Sequence, residues 1–191
     1  MLTLNGVVAT ECPHDVIFVL DESESIGATN FNRTKWFLSQ LVSRLNISSG
    51  HTRVGLVTFS SGVGTTINLD AHSSVDSLRS AILSLSYARG STNTAAALAH
   101  VRTRMLTSAA GDRSNASNVV VLLTDGGSDN PTATQVSGVA IQFYCILAAT
   151  FTLSDVNCLL DYSDVLHRTR WQSVDICCKL PCPWADDRET T

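Results

Sequence analysis

Apolar runs and amphipathic stretches alternate along the chain. Residues 15–20, "DVIFVL", form a short apolar run rich in β-branched side chains, which predicts a strand buried on both faces. Residues 30–45 carry Phe31, Trp36, Phe37, Leu38, Leu41, Val42 and Leu45 at i, i+3, i+4 spacing, which predicts a helix with one buried face. Residues 53–59, "RVGLVTF", predict a second strand. Gly62 and Gly64 are expected to make a tight turn into residues 65–69, where Thr66 and Asn68 alternate with Thr65, Ile67 and Leu69 as on a half-exposed edge strand. Residues 73–85, with Val75, Leu78, Ile82 and Leu85 on one side, and residues 94–106 both read as helices. Residues 118–123, "NVVVLL", predict another buried strand, and residues 143–149 a further one. Between them Pro131 suits the first turn of a helix capped by Asp129 or Asn130.

The last third has two readings. One is a helix at 154–160, a strand at 165–167 and a helix at 171–179. The other is a strand at 157–160 and one long helix at 162–178, which the spacing of Val165, Leu166, Thr169, Val174 and Ile176 favours. In either case apolar strands alternating with helices predict an α/β fold. It is doubly wound and Rossmann-like, with a mostly parallel sheet, one antiparallel edge strand and helices on both faces. The expected organisation is an extension at 1–11, one domain at 12–180 and a tail at 181–191.

Composition narrows the function. At 191 residues and 44% hydrophobic, the chain can build one well-packed core. A net charge of -4 with no basic run argues against nucleic acid. No apolar run approaches the roughly 20 residues that span a bilayer, so direct membrane insertion is not expected. The opening "MLTLNGVVATE" lacks a signal peptide's basic start and apolar centre. The six cysteines sit at Cys12, Cys145, Cys158, Cys177, Cys178 and Cys182. Those near the ends suit a disulfide clamp; the alternative is reduced thiols or a metal held by Cys177, Cys178 and Cys182, whose spacing matches no familiar zinc pattern. Asn32, Asn46 and Asn115 begin glycosylation sequons, a pattern that also arises by chance.

Two apolar strands run into acids: the first into "DESES", the one at 118–123 into Asp125. In a doubly wound sheet, ligands bind beyond the carboxyl ends of the strands. Asp21, Ser23 and Ser25 are spaced by two, so an extended segment aims them to one side and Glu22 and Glu24 to the other. The turn "RGSTNT" presents Thr92 at the start of a helix. The competing reading is a solvated loop in which Ser25 caps the following helix. Asp21-Glu22-Ser23-Glu24-Ser25, Gly90-Ser91-Thr92-Asn93-Thr94 and Thr124-Asp125-Gly126, in this order, resemble the von Willebrand factor type A domain over roughly residues 12–150.

The resemblance implies a metal-ion-dependent adhesion site with Asp21, Ser23, Ser25, Thr92 and Asp125 as ligands, directly or through water. Carboxylate and hydroxyl donors are hard, which suits Mg²⁺, with Mn²⁺ or Ca²⁺ as substitutes, rather than zinc. Two carboxylates only neutralise a divalent ion, which leaves room for an Asp or Glu side chain of a protein ligand. Thr94 and Thr124 are expected to hydrogen-bond backbone or supporting groups, and Gly126 and Gly127 to serve loop geometry. Glu24 occupies a position that is commonly small in the family. Facing outward, it is expected to strengthen cation retention and to disfavour the most acidic ligands.

These features predict a secreted extracellular matrix adhesion module, not an enzyme. Its partner would be an acidic protein ligand, collagen-like or another matrix component, within a larger or disulfide-linked assembly. Cys12 paired with Cys177 or Cys178, as in extracellular members of the family, would close the ends of the domain. A structural matrix scaffold, contacting itself, polysaccharide or mineral, is the alternative; the run "GDRSNASNVVVLLTDG" resembles invertebrate matrix proteins of that kind. An intracellular assembly subunit is a third reading. Asp21 after the first strand also resembles the aspartyl phosphotransferases of the haloacid dehalogenase type, but those need a second Asp where this chain has Ser23. There is no Gly-x-Ser-x-Gly elbow and no P-loop, and His14, His51, His72, His100 and His167 are scattered. Ligand specificity is expected in the loops 27–30, 60–64, 87–94 and 126–131.

Overall fold

The computed structural model describes residues 13–125 and 127–139. In chain order its elements are β1 (His14–Asp21), α1 (Gly27–Val42), β2 (Thr52–Phe59), β3 (Val63–Ile67), α2 (Val75–Ser84), α3 (Thr94–His100), β4 (Ser117–Leu123) and α4 (Pro131–Val139). The sheet order is β3-β2-β1-β4. β1 lies parallel to both neighbours, with Phe18 opposite Leu56 of β2 and Val121 of β4. β3 is the antiparallel edge, paired to β2. The predicted fold class is therefore observed.

Period-two alternation divides the core. Phe18 and Leu20 of β1, with Val54 and Leu56 of β2, face Phe31, Leu38 and Val42 of α1 and Leu78 and Ile82 of α2. Ile17 and Val19, with Val57, Phe59, Val120 and Leu122, face Ala97, Leu98 and Val101 on the other side. With both faces covered, the central strands read as continuous apolar runs, which is why the sequence showed them clearly.

Four details differ from expectation. The edge strand is Val63–Ile67, so Gly64 lies within it and not in a turn before it. α1 begins three residues before the predicted start and ends at Val42. Trp36 is 52% exposed, because at about 100° per residue it falls roughly 140° around the helix from Phe31. The predicted helix at 94–106 is α-helical only to His100 and then widens into a π-helical turn, Val101–Met105. The strand expected at 143–149, both readings of the last third, the domain ends and all six cysteines lie outside the described residues. The three sequon asparagines, Asn32, Asn46 and Asn115, are exposed.

Opposite the carboxyl edge, Arg113 ties the amino ends of β1 and β2 to the segment before β4. Its Nε and Nη2 donate to Asp15 Oδ1 at 2.9 and 2.7 Å, and its backbone amide donates to Asp15 Oδ2 at 2.8 Å. The guanidinium also donates to the carbonyls of His14, Gly50 and His51. Asp15 is fully buried. Nothing in local patterning marked this pair, because its partners are 98 residues apart.

Candidate metal centre

β1 delivers Asp21 to the carboxyl edge of the sheet, where the side chain is 2% exposed. Both carboxylate oxygens are held. Oδ1 accepts from the Ser23 amide at 2.8 Å, and Oδ2 accepts from Thr124 Oγ1 at 2.7 Å. Thr124 thus has the supporting role expected of it, and it joins the end of β4 to the end of β1. Thr94 does not follow that expectation: its hydroxyl is buried with no hydrogen-bond partner among the described residues.

Ser23 is buried, and its Oγ lies 3.1 Å from Ser25 Oγ. Tyr87 OH donates to the Ser23 carbonyl at 2.9 Å, while the Tyr87 ring packs 5.6 Å from that of Phe31. "DESES" is therefore not a solvated loop at its start, since Asp21, Glu22 and Ser23 are all buried. Nor does Ser25 cap α1: the residue before the helix is Ile26, with no side-chain cap bond.

Thr92 is also buried. Its amide donates to Asp129 Oδ1 at 3.0 Å, and its carbonyl accepts from the Asp129 amide at 2.9 Å. Hydrogen bonds from Ser91 and from the Thr92 amide hold the Asp129 carboxyl below the usual range. Asn130, not Asp129, caps α4, accepting from the Ala133 amide at 2.9 Å. The two candidates for that cap thus divide the work. Gly90, at φ 119°, accepts from the Glu24 amide through its carbonyl at 2.9 Å and packs on Ser60 and Ser61 too closely for a Cβ. These bonds tie the 87–94 loop to "DESES" on one side and to the loop before α4 on the other.

Asp125 is exposed, and the Gly127 amide donates to its Oδ1 at 3.5 Å. A cavity of about 60 Å³ lies between Asp21, Ser25, Thr124 and Asp125, with Asn30 and Thr34 of α1 beside them. Asp21, Ser23, Ser25 and Asp125 are thus gathered at one place. Thr92 is on the adjoining loop, not on the cavity wall. The donors are carboxylate and hydroxyl oxygens. Among the described residues, no group of three or more His, Cys, Asp or Glu could hold a metal. This donor set fits a hard divalent cation.

Glu24 faces outward as expected, but its carboxylate meets Arg89 Nη2 at 3.4 Å, with both side chains mostly exposed. The sequence reading missed Arg89, Asp129 and the burial of Glu22. Only the run of turn-forming residues around Gly90 hinted that Arg89 would be turned toward Glu24; its φ is 66°.

Comparison with known proteins agrees with this architecture. The chain is 36% identical over 126 residues to von Willebrand factor A domain-containing protein 1 of Bos taurus, covering 66% of this chain and 30% of that protein. It is 37% identical over 120 residues to the collagen alpha-4(VI) chain of Mus musculus, covering 62% of this chain and 5% of that one. Among solved structures, proximal thread matrix protein 1 from the mussel byssus superposes with a TM-score of 0.65 at 25% identity, over 72% of this chain and 38% of that one. Another structure of the same byssus protein has a zinc-occupied MIDAS motif. The chain therefore spans well under half the length of each of these proteins. The von Willebrand factor type A domain model matches residues 15–154. With its parallel core, its antiparallel edge and the oxygen cluster at the carboxyl edge, the chain belongs to the von Willebrand factor type A domain family.

Proposed function

We propose that this domain is an extracellular matrix adhesion module that binds a protein ligand through a divalent cation held by Asp21, Ser23, Ser25, Thr92 and Asp125. The observation that carries this reading is the state of Asp21: buried, with each oxygen fixed by one donor and a lone pair left over on each. When bound, Mg²⁺ would supply a Lewis-acidic position for an acidic side chain of the ligand. The chain's own residues prepare that position. Thr124 and the Ser23 amide orient Asp21, the Tyr87 hydroxyl fixes the backbone at Ser23, and the open Asp125 carboxylate supplies the second negative charge. Uncharged hydroxyls complete the set, so the cation's charge is not over-neutralised. The matrix setting is supported by the relatives, a collagen chain and a byssal thread matrix protein.

The test is ligand capture from matrix extract and calorimetric titration with Mg²⁺, Mn²⁺, Ca²⁺ and Zn²⁺. EDTA is expected to abolish capture, and Mg²⁺ or Mn²⁺ to restore it; Asp21→Asn should abolish both metal binding and capture. At a metal concentration one hundred times Kd, unfolding should be harder by about 2.7 kcal/mol. A scaffold role is the second reading, favoured by the byssal relative. It predicts association that survives chelation, and that result would displace the adhesion reading.

A further inference from the structure

Glu22 is a buried acid that the proposed cation set does not use. It is 2% exposed. Its amide donates to the Phe59 carbonyl at 2.8 Å, which extends the β1–β2 ladder past the end of the strand. Its side chain reaches an irregularity in the edge pairing. There the β2–β3 register shifts between Val57 and Phe59, and the Thr65 amide donates to Thr58 Oγ1 at 2.9 Å. The Glu22 carboxylate faces the Thr58 hydroxyl, beside it at Gly64, and the Ala88 amide. Burial pushes this carboxyl up, and those two polar neighbours oppose the rise. Oε2 is buried with no partner among the described residues. Gly64 of β3 closes over the junction, and a Cβ there would collide with Thr58 Oγ1 and Glu22 Oε1. Irregularities in edge pairing commonly lie beside functional sites, and here the register shift falls at Thr58, next to Glu22.

A buried carboxylate is costly unless it is paired and hydrogen-bonded. What Glu22 holds is the start of the loop that carries Thr92. After Ala88 that loop passes through Arg89 at φ 66° and Gly90 at φ 119°. A side-chain-bearing residue in the left-handed region costs on the order of 1 kcal/mol or more and persists only where its surroundings over-determine it. The loop is held by the Glu24 amide at Gly90 and by the Ser60 carbonyl at Asn93, and the Glu22 carboxylate stands against it at Ala88. We propose that Glu22 is a positioning residue for the cation site: through Thr58 and the Ala88 amide it sets the 87–94 loop, and with it Thr92, relative to Asp21 and Ser23. This rests on the metal-binding reading above.

The test uses the full chain with Glu22→Ala, Glu22→Gln, Gly64→Ala and, as reference, Asp21→Asn. Two quantities are read: Mg²⁺ affinity by calorimetry, and hydrogen exchange of the 88–93 amides in metal-free protein. Glu22→Ala and Gly64→Ala should each weaken Mg²⁺ about tenfold or more and speed exchange across 88–93. Glu22→Gln keeps an acceptor for Thr58 and Ala88 and should restore both readouts most of the way. Parent-like affinity and exchange in folded Glu22→Ala and Gly64→Ala would overturn the proposal. So would a Glu22→Gln loss equal to that of Glu22→Ala with Gly64→Ala unaffected, since charge alone would then matter. If Glu22→Ala does not fold, Gly64→Ala decides on both readouts. If the parent binds no Mg²⁺, or Asp21→Asn binds it equally well, the metal reading fails, while the exchange data still judge whether Glu22 holds the loop.

Discussion

Replacing Arg113 with Ala should destabilise the domain severely while leaving the proposed cation site intact. The side chain makes five hydrogen bonds: two to Asp15 Oδ1 and one each to the carbonyls of His14, Gly50 and His51. Arg113 is itself 17% exposed and Asp15 is 0% exposed. The carbonyls nearest the surface can recover water. Asp15 cannot, and among the described residues it would keep only the backbone amide of residue 113 as a donor. Leaving a charge buried and uncompensated costs about 3–5 kcal/mol. Taking about 4 kcal/mol, and about 2–4 °C per kcal/mol for a chain of this size, Tm should fall by about 8–16 °C. Arg113→Lys should recover part of the loss, because one ammonium cannot reproduce the planar fork. Urea unfolding of metal-free protein gives the stability, and Mg²⁺ titration of the folded variant gives the site. Asp15 and Asp21 are six residues apart on one strand, about 20 Å, so affinity should be unchanged. A loss under about 1 kcal/mol would refute the reasoning, because it would mean that Asp15 is not held as a buried charge.

Two further outcomes follow from the same charges. Asp112 has a buried Oδ1 without a partner among the described residues, and its carboxyl is raised chiefly by burial, with Asp15 adding to the rise and Asn118 opposing it. A raised native value means that the ionised form is disfavoured on folding, so Asp112 favours the native state at low pH and loses that benefit as pH rises past 3.8. Asp112→Asn should therefore raise Tm at pH 7 and confer no advantage below the unfolded value; a pH-independent difference would contradict this. Glu24→Gln should weaken Mg²⁺ retention by no more than about fivefold, on the order of 1 kcal/mol, since Glu24 is an exposed charge. It should also favour polyacidic ligands by freeing Arg89, with both effects fading at high salt. Unchanged cation and ligand binding at low salt would remove Glu24 from the site's electrostatics.

The elements that the sequence located best are those whose pattern repeats over a few residues. "VIFVL" and "VVVLL" are apolar throughout because β1 and β4 are covered on both faces, and the acids that follow them had to emerge at the carboxyl edge. Asp21, Ser23 and Ser25 do come together, but through a bend and turn at 23–26 and not through the extended segment that their spacing suggested. The 3.6-residue period found α1 and α2 with only their ends misplaced. Edge geometry was harder to read. β3 is mostly exposed, so no apolar alternation pinned its register, and Gly64 looked like a turn residue when its missing Cβ was making room for Glu22 and Thr58.

Contacts between distant segments were decided only by the fold. Arg113 meets Asp15 across 98 residues, Thr124 meets Asp21 across 103, and Thr92 meets Asp129 across 37. Each is a polar pairing whose partner could have been any of several acids or hydroxyls in the chain. Local sequence carries periodicity, and periodicity sets which way a side chain points. Which charge meets which depends on how strands and loops are brought together. The sequence by itself therefore determined the α/β layering and the oxygen donors at the sheet edge. Tertiary packing decided that Glu22 is buried behind those donors, that Glu24 is matched by Arg89, and that Asp21 is held at both oxygens.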